Sequence, residues 1–358
     1  MRVVYAVNTT PHAPPDQMTR LASTRYRGFI PAGQLQRDGH RADVVAVMEL
    51  FRPDFDTRID LLVLHQPKHD ILMLANVIKV LFDRLEAIRR QGGRIVVDVS
   101  DFKLSPDVLA AMAKAFGPDR AQTYRNILEA IFAGCDAVTA PTEALAQQMR
   151  AALADAKPVF VIEDVVEVAP QPAKFAPGEP LNLLWFGFLS AHVAAVRQLV
   201  QDDLPKIRTH RPARLKLVCE ALPTADSQKI FGAAEPASFG VDCEPWSVPV
   251  LESALAACDL VVLPFDADAA SSKGKSNNRA LQALAAGRYV VAHPIESYCM
   301  LGDVIGLEAS IAQGVEAAVA HPAATLARLQ AGQDFVQARY SPAANAARWL
   351  AVLGELKG

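Results

Sequence analysis

The sequence predicts an α/β protein of two doubly wound domains facing each other across a cleft, and three observations predict it. Short apolar runs alternate with helix-length segments from residue 2 to residue 162, the alternation restarts at residue 181, and a proline-rich stretch separates the two series. A strand that reads as a continuous apolar run is buried on both faces, as parallel strands flanked by helices are. Strand–helix alternation supplies the crossovers that parallel pairing needs. At 358 residues the chain also exceeds the length, about 250–300 residues, at which a single core stops growing. We therefore divide it into a first domain at 1–167, a linker at 168–180, a second domain at 181–340 and a C-terminal helix at 341–358.

In the first domain Arg2–Asn8 reads as a strand, followed by a polar loop over 9–23. Connections of this type usually take about 2–6 residues, so the excess, with His12, Asp16, Arg20, Arg25 and Arg27 in or just after it, reads as a loop lining the cleft. An ordinary charged surface loop would carry the same residues. Tyr26–Asp38 is a helix ended by Gly39, and Arg41–Val47 is the second strand, completing a βαβ unit. Asp60–His65 is the third strand, and Ile71–Arg90 has the apolar spacing of a long helix that stops at Gly92-Gly93. Arg94–Val99 is the fourth strand and runs straight into Ser100-Asp101, which places Asp98 and Asp101 at the carboxyl end where such sheets hold their chemistry. Asp101 can equally cap the next turn. A helix at 122–134, a strand at Cys135–Ala140, a helix at Thr142–Ala154 with a threonine cap and a strand at Pro158–Ile162 close the series. Val168–Pro180 then places four prolines within eleven residues, the composition of a linker.

The second series opens with the strand Leu181–Phe186 and Gly187, the helix Val193–His210 and the strand Leu215–Cys219. A weaker strand at Phe239–Trp246 leads to the helix Pro249–Ala257, and Asp259–Phe265 and Arg288–His293 are two further buried strands. Between them lies the stretch 271–287, SSKGKSNNRALQALAAG, read as a basic loop and a helix. Ser276 can cap that helix, its first turn leaves backbone N–H groups unpaired, and Lys273, Lys275 and Arg279 bring positive charge to the same end. The natural guest of such an end is a phosphate, and a solvated basic loop is the plainer alternative. The tail Ser341–Leu356 is a helix whose Trp349 reads as a packing residue.

Composition narrows the function. A hydrophobic content of 51% with 21% charged residues is that of a globular protein, and a net charge of −3 gives no general attraction to nucleic acid. The five cysteines are widely spaced without a CxxC pair, so we expect reduced core residues, no metal site and a cytoplasmic protein. No run approaches the roughly 20 apolar residues that span a bilayer, which leaves peripheral membrane contact as the one open mode. Ala269–Ser276 fits a loose phosphate-loop pattern of the NTPases. Its first glycine is replaced by Ala269, it falls late in the chain, and the following RYVVAHP lacks the magnesium-binding aspartate of that class.

Several segments together carry a resemblance. They are Leu184–Gly187 (LWFG), Pro245-Trp246, Leu255–Pro264 (LAACDLVVLP), Lys275–Arg279 (KSNNR), Ala280–Ala292 (ALQALAAGRYVVA) and the tail from Gly332-Gln333 through Tyr340-Ser341-Pro342 to Trp349. With them the second half resembles the nucleotide-sugar domain of GT-B glycosyltransferases. The first half is similar more loosely, through Ser23–Gly39, Asp98–Phe102 and Thr139–Leu145. The resemblance implies two Rossmann-like domains and transfer of a sugar from a nucleotide-diphosphate sugar, a co-substrate, with neither cofactor nor metal. It implies donor contacts at Gly187, Phe188, Trp246, Ser272, Lys273, Gly274, Lys275, Ser276, Asn277, Asn278 and Arg279. Lys275 would meet diphosphate oxygens, Ser276 and Asn277 would offer backbone N–H groups, and Asn278 would reach a sugar or ribose hydroxyl. Trp246 could stack on the base or belong to the core. The acceptor, whether glycan, lipid-linked or small molecule, would meet His12, Arg25, Arg27 and Asp98, with Asp101 as general base. Many retaining members carry two glutamates at the positions of Gly274 and Gln282, which leaves retention or inversion open and keeps a non-catalytic nucleotide-sugar-binding protein as the alternative. Unrelated two-domain α/β enzymes, including sugar-nucleotide epimerases and NTPases, complete the readings.

Overall fold

The computed structural model describes residues 1–7, 21–65, 72, 77–101, 103–153, 157–221, 224–265 and 276–358. The chain forms two compact units, Met1–Val165 with Ser341–Gly358, and Val166–Tyr340.

The first unit holds β1 (Arg2–Val7), β2 (Arg41–Ala46), β3 (Leu61–His65), β4 (Arg94–Asp98), β5 (Ala137–Ala140) and β6 (Val159–Val161), all parallel in the order β2-β1-β3-β4-β5-β6. Side chains alternate between two cores, as the period of a strand requires. Val4, Ala6, Leu62, Leu64, Ile95 and Val97 pack on one face, and Val3, Tyr5, Leu61, Val63 and Val96 on the other. Register sets His65 beside Asp98 at the carboxyl edge.

The helix Pro342–Lys357 covers the second face, where Trp349 meets Tyr5 edge to face at 5.5 Å. Ser341 Oγ caps its first turn through the Ala344 N–H, Asn345 Nδ2 donates to the Glu163 carbonyl at 2.8 Å, and Arg94 Nε donates to the Leu356 carbonyl at 2.7 Å. The segment read as a separate C-terminal helix is thus a layer of the first unit.

Expected elements recur with informative differences. The helix expected from Tyr26 begins earlier, as Ala22–Thr24, passes through a π turn at Arg25–Phe29 and continues as Ile30–Arg37. A Cβ at Gly28 would lie 2.9 Å from Val7 Cγ1, so glycine lets this turn press on β1. The helix expected at 122–134 is Pro118–Ala133, preceded by Pro106–Phe116, which Ser105 caps. Both carry proline in the first turn with Gly117 between them, a stop-and-start signal that the expectation passed over.

The second unit holds β7 (Leu181–Phe186), β8 (Ala213–Cys219), β9 (Val241–Pro245), β10 (Leu260–Leu263), β11 (Tyr289–Ala292) and β12 (Gly306–Leu307), all parallel in the order β12-β11-β10-β7-β8-β9. Helices Thr224–Phe231, Ile311–Ala320 and Pro322–Tyr340, which the sequence reading left out, complete it. The proline-rich stretch is part of this unit. Gln171 N–H donates to the Ala285 carbonyl at 3.1 Å and Lys174 N–H to the Gly287 carbonyl at 3.2 Å. No helix among the described residues is long and apolar enough to cross a membrane.

Candidate functional site

In the second unit the strand order turns at β7, which has β8 on one side and β10 on the other. Open parallel sheets leave a crevice beyond the carboxyl ends of the strands at such a switch point. Gly187 follows β7 with φ 148°, a conformation that favours glycine. A Cβ there would lie 3.1 Å from Arg279 Nη1 and 3.3 Å from Arg279 Cδ, so the missing side chain is the space in which Arg279 lies.

Arg279 stands in the first turn of the helix Asn278–Ala285. Its guanidinium carbon lies 4.7 Å from the Phe265 ring centroid and 5.7 Å from that of Trp185, and Nη1 donates to the Phe186 carbonyl at 3.4 Å. His192 meets Trp185 and Phe265 edge to face at 6.2 and 5.1 Å, and Tyr298 meets Phe265 at 5.5 Å. This aromatic setting strips water from the guanidinium and lowers its pKa, although an arginine stays charged. Among the described residues no carboxylate pairs with Arg279. Beside aromatic faces, the Phe186 carbonyl and the Tyr298 side chain, the described residues offer this cation no counter-charge, and an anion would complete it.

The helix start differs from expectation. Ser276 precedes the cap position, which Asn277 occupies without a side-chain cap bond, its Nδ2 donating instead to Met300 Sδ at 3.4 Å. Half-buried Trp246 packs on the core of this unit, and its backbone N–H donates to the Cys219 carbonyl at 2.6 Å. Phe188, beside Gly187, is 65% exposed. Ser272, Lys273, Gly274, Lys275 and His12 lie outside the described residues. Structure thus brings Gly187, Phe188, Asn277, Asn278 and Arg279 to one edge of one sheet.

Two residues of this edge escaped the sequence reading. Glu220, just past β8, accepts the backbone N–H groups of Leu189 at 2.7 Å and Ser190 at 2.8 Å, clamping the loop that carries Gly187 and Phe188. His293, just past β11, has Nδ1 2.7 Å from the Phe265 carbonyl, and its Nε2 is buried without a partner among the described residues. Their only sequence signal is position, one residue beyond an apolar run.

In the first unit the carboxyl edge is a closed ionic cluster. Arg27 Nη2 bonds Asp98 Oδ1, Nε donates to Asp98 Oδ2 at 2.7 Å, and Nη1 donates to the Ile162 carbonyl at 2.8 Å and Asp164 Oδ1 at 2.9 Å. Thr139 Oγ1 donates to Asp98 Oδ1 at 2.6 Å, and His65 Nδ1 lies 3.0 Å from Asp98 Oδ2. Burial alone would raise the Asp98 pKa, but the Arg27 charge and the bonds from His65 and Arg27 hold it well below the usual carboxylate range. The Asp98 side chain is 0% exposed and its oxygens are occupied. Arg27 and Asp98 therefore meet each other here. Buried Arg25 has its guanidinium 5.5 Å from the Tyr26 ring centroid. Asp101 stands apart, its side chain 67% exposed and paired with Lys103 at 3.1 Å.

No family model and no curated protein matches the sequence. Solved structures do match. Sucrose-phosphate synthase from Thermosynechococcus elongatus is 15% identical with a TM-score of 0.61, over 99% of this chain and 98% of that one. AviGT4, a glycosyltransferase involved in avilamycin A biosynthesis, is 14% identical with a TM-score of 0.56, over 99% and 98%. The fold is that of the GT-B glycosyltransferases. TarM matches with 12% identity and a TM-score of 0.54, over 82% of this chain, which spans about half (54%) of TarM. Within this GT-B fold Gln282, at the position of the later glutamate of many retaining members, is buried, and its Oε1 accepts the backbone N–H groups of Glu167 at 3.0 Å and Val168 at 3.1 Å.

Proposed function

We propose that this chain transfers a sugar, as a hexosyltransferase does, from a nucleotide-diphosphate sugar without a metal ion, and that its second unit binds the donor. One observation carries the proposal: Arg279, a cation in an aromatic setting with no carboxylate partner among the described residues, lies against Gly187 at the switch point of the sheet. When the bond from the sugar to the diphosphate breaks, negative charge grows on the departing phosphate oxygens. A cation already desolvated and fixed in place stabilises that charge without reorganising. Lys275, four residues earlier, would add a second positive contact, and Trp246 would serve the base. GT-B structures that match the chain include glycosyltransferases, and the fold also carries a protein assigned as a UDP-N-acetylglucosamine 2-epimerase, from Listeria monocytogenes, with 14% identity and a TM-score of 0.50. The site, rather than the fold, has to carry the choice of reaction. The acceptor, a glycan, a lipid-linked sugar or a small molecule, would be met by the first unit.

Calorimetry tests the donor site. A charge-assisted hydrogen bond is worth about 1.5–3 kcal/mol, so Arg279→Ala or Lys275→Ala should weaken a nucleoside diphosphate about 10- to 150-fold. Binding of the bare nucleoside should hold, and a chelator should change nothing. Equal losses for both ligands would mean a folding defect and end the assignment, and a strict magnesium requirement would end metal independence. Donor turnover then separates transfer from the non-catalytic alternative, because the latter binds the sugar nucleotide and leaves it intact. Asp101→Asn should abolish transfer while nucleotide binding stays, and wild-type turnover in that variant would remove Asp101 as the base.

A further inference from the structure

His293 follows β11 and sits beside β10, its backbone N–H donating to the Leu263 carbonyl at 3.2 Å. Its ring turns onto the residues that follow β10: Nδ1 lies 2.7 Å from the Phe265 carbonyl oxygen and 3.2 Å from the Phe265 nitrogen. A carbonyl oxygen only accepts, so the shorter contact puts the proton on Nδ1, and a protonated Nδ1 cannot also accept from the Phe265 N–H. The neutral ring then carries a lone pair at Nε2. His293 is 6% exposed, and Nε2 is buried with no partner among the described residues. A buried acceptor without a donor costs free energy, a cost that folded proteins carry where a ligand or an ordered water meets the group. Two more such atoms lie around the same Phe265. They are Trp185 Nε1, on the ring that shares Arg279 with Phe265, and Ser297 Oγ, next to the Tyr298 that meets the Phe265 ring.

We propose that His293 is a binding residue for the sugar half of the donor: Nε2 accepts a hydrogen bond from a hydroxyl of the transferred sugar. The proposal rests on the diphosphate reading of Arg279 and adds the side of the sheet on which the sugar is held. Phe265 links the two residues, its ring 4.7 Å from the Arg279 guanidinium and its backbone carbonyl on His293. Ionised phosphate oxygens have no proton to offer a lone pair, so of the groups flanking a diphosphate the hydroxyls suit Nε2. Strand order separates the hydroxyls of the sugar from those of the ribose. In β12-β11-β10-β7-β8-β9, Gly187 follows β7 at the switch point, Trp246, assigned to the base, follows β9 on one side, and His293 follows β11 on the other. A nucleotide reaching from Trp246 to Arg279 lays its nucleoside over β8 and β9, which leaves the side of β10 and β11 to the sugar.

His293→Asn is the informative substitution, because the asparagine amide keeps a donor for the Phe265 carbonyl and has nothing at the place of Nε2. Calorimetry with UDP-glucose, ADP-glucose and GDP-mannose, each beside its nucleoside diphosphate, on the wild type, His293→Asn and Arg279→Ala reads the two halves separately. For the pair that the wild type binds, His293→Asn should weaken the sugar nucleotide about 3- to 10-fold and the nucleoside diphosphate less than about 2-fold. Arg279→Ala should weaken both. Equal losses for both ligands in His293→Asn would mean a ribose contact or a distorted fold, and no loss for either would mean a core histidine; each overturns the proposal. A second measurement needs no variant. The ring nitrogens of His293, assigned through the backbone by NMR of the labelled wild type, should show a protonated Nδ1 and a bare Nε2, and the reverse tautomer overturns the premise. Adding the sugar nucleotide should move the Nε2 resonance, whereas adding the nucleoside diphosphate should not. An Nε2 that ignores a bound sugar nucleotide marks a place filled by water only and sinks the proposal while the diphosphate reading stands, as does a wild type that binds a nucleoside diphosphate but no sugar nucleotide. If the wild type binds none of these ligands, the diphosphate reading itself falls, and His293 with it.

Discussion

Two arginines show how similar residues part company once folded. Arg27 and Arg279 both sit near the carboxyl edge of a parallel sheet, and both were expected to meet substrate. Arg27 is used up internally: Asp98, Asp164 and the Ile162 carbonyl take its donors. Arg279, among the described residues, has aromatic rings, the Phe186 carbonyl and the Tyr298 side chain. Removing one member of a buried ion pair leaves an uncompensated charge, a loss of about 3–5 kcal/mol. Arg27→Ala should therefore unfold the first unit at lower denaturant, whereas Arg279→Ala should leave the melting curve nearly unchanged and affect ligand binding. Asp98 adds a pH signature. Its folded pKa is depressed, so its stabilising contribution is complete above the unfolded value, about 3.9, and is lost as pH falls through the folded value. Denaturant unfolding measured below about pH 4 should accordingly show a shallower pH dependence in Asp98→Asn than in the wild type.

At the scale of elements, the helix Asn278–Ala285 connects three things at once. Its first residues carry Asn278 and Arg279, its middle holds residues 167–168 through Gln282, and its end receives the proline-rich stretch. Gly287 shows how tight that last contact is: φ is 68°, and a Cβ would lie 2.3 Å from the Pro172 carbonyl oxygen. Gly287→Ala must strain the backbone and push that segment off, so we expect a stability loss of about 1–3 kcal/mol, read from urea unfolding. Trp349 belongs to the same scale. It is buried against Tyr5, and truncating it to alanine should cost about 3–5 kcal/mol, felt in the first unit although the residue lies near the C-terminus.

For the whole molecule, the chain order and the folded order differ. The first unit takes 1–165 and then 341–358, with the entire second unit inserted between. Trp349, Val352 and Leu353 from the final helix lie in the core of the first unit. Burying one large apolar side chain is worth about 1.5–3 kcal/mol, so three together rival the usual margin of about 5–15 kcal/mol for a domain. A chain ending at residue 340 should lose the cooperative transition of the first unit and keep that of the second. Limited proteolysis followed by mass spectrometry would show it, with a protected 166–340 core and digestion of 1–165; protection of both would contradict it.

Local pattern determined the two sheets, because apolar runs such as LLVLH and RIVVDV, alternating with helix-length segments, read as buried parallel strands, and it singled out the stretch 271–287 as a donor-side candidate, because a basic loop leading into a helix suits a phosphate. Thr142 as a helix cap was readable for the same reason, its hydroxyl accepting the Leu145 N–H three residues on. What lies between elements distant in sequence was decided only by tertiary structure. Whether Arg27 meets a substrate or Asp98 depends on residues 71 positions apart, and the place of the last helix depends on a face that Tyr5 exposes near the start of the chain. Glu220, His293 and Gln282 gained their roles the same way. Periodicity and capping act over a few residues and leave their mark in the sequence. Pairing of charges and filling of a core act over the folded distance, and the same residue in the same pattern can end as a ligand contact or as a buried brace.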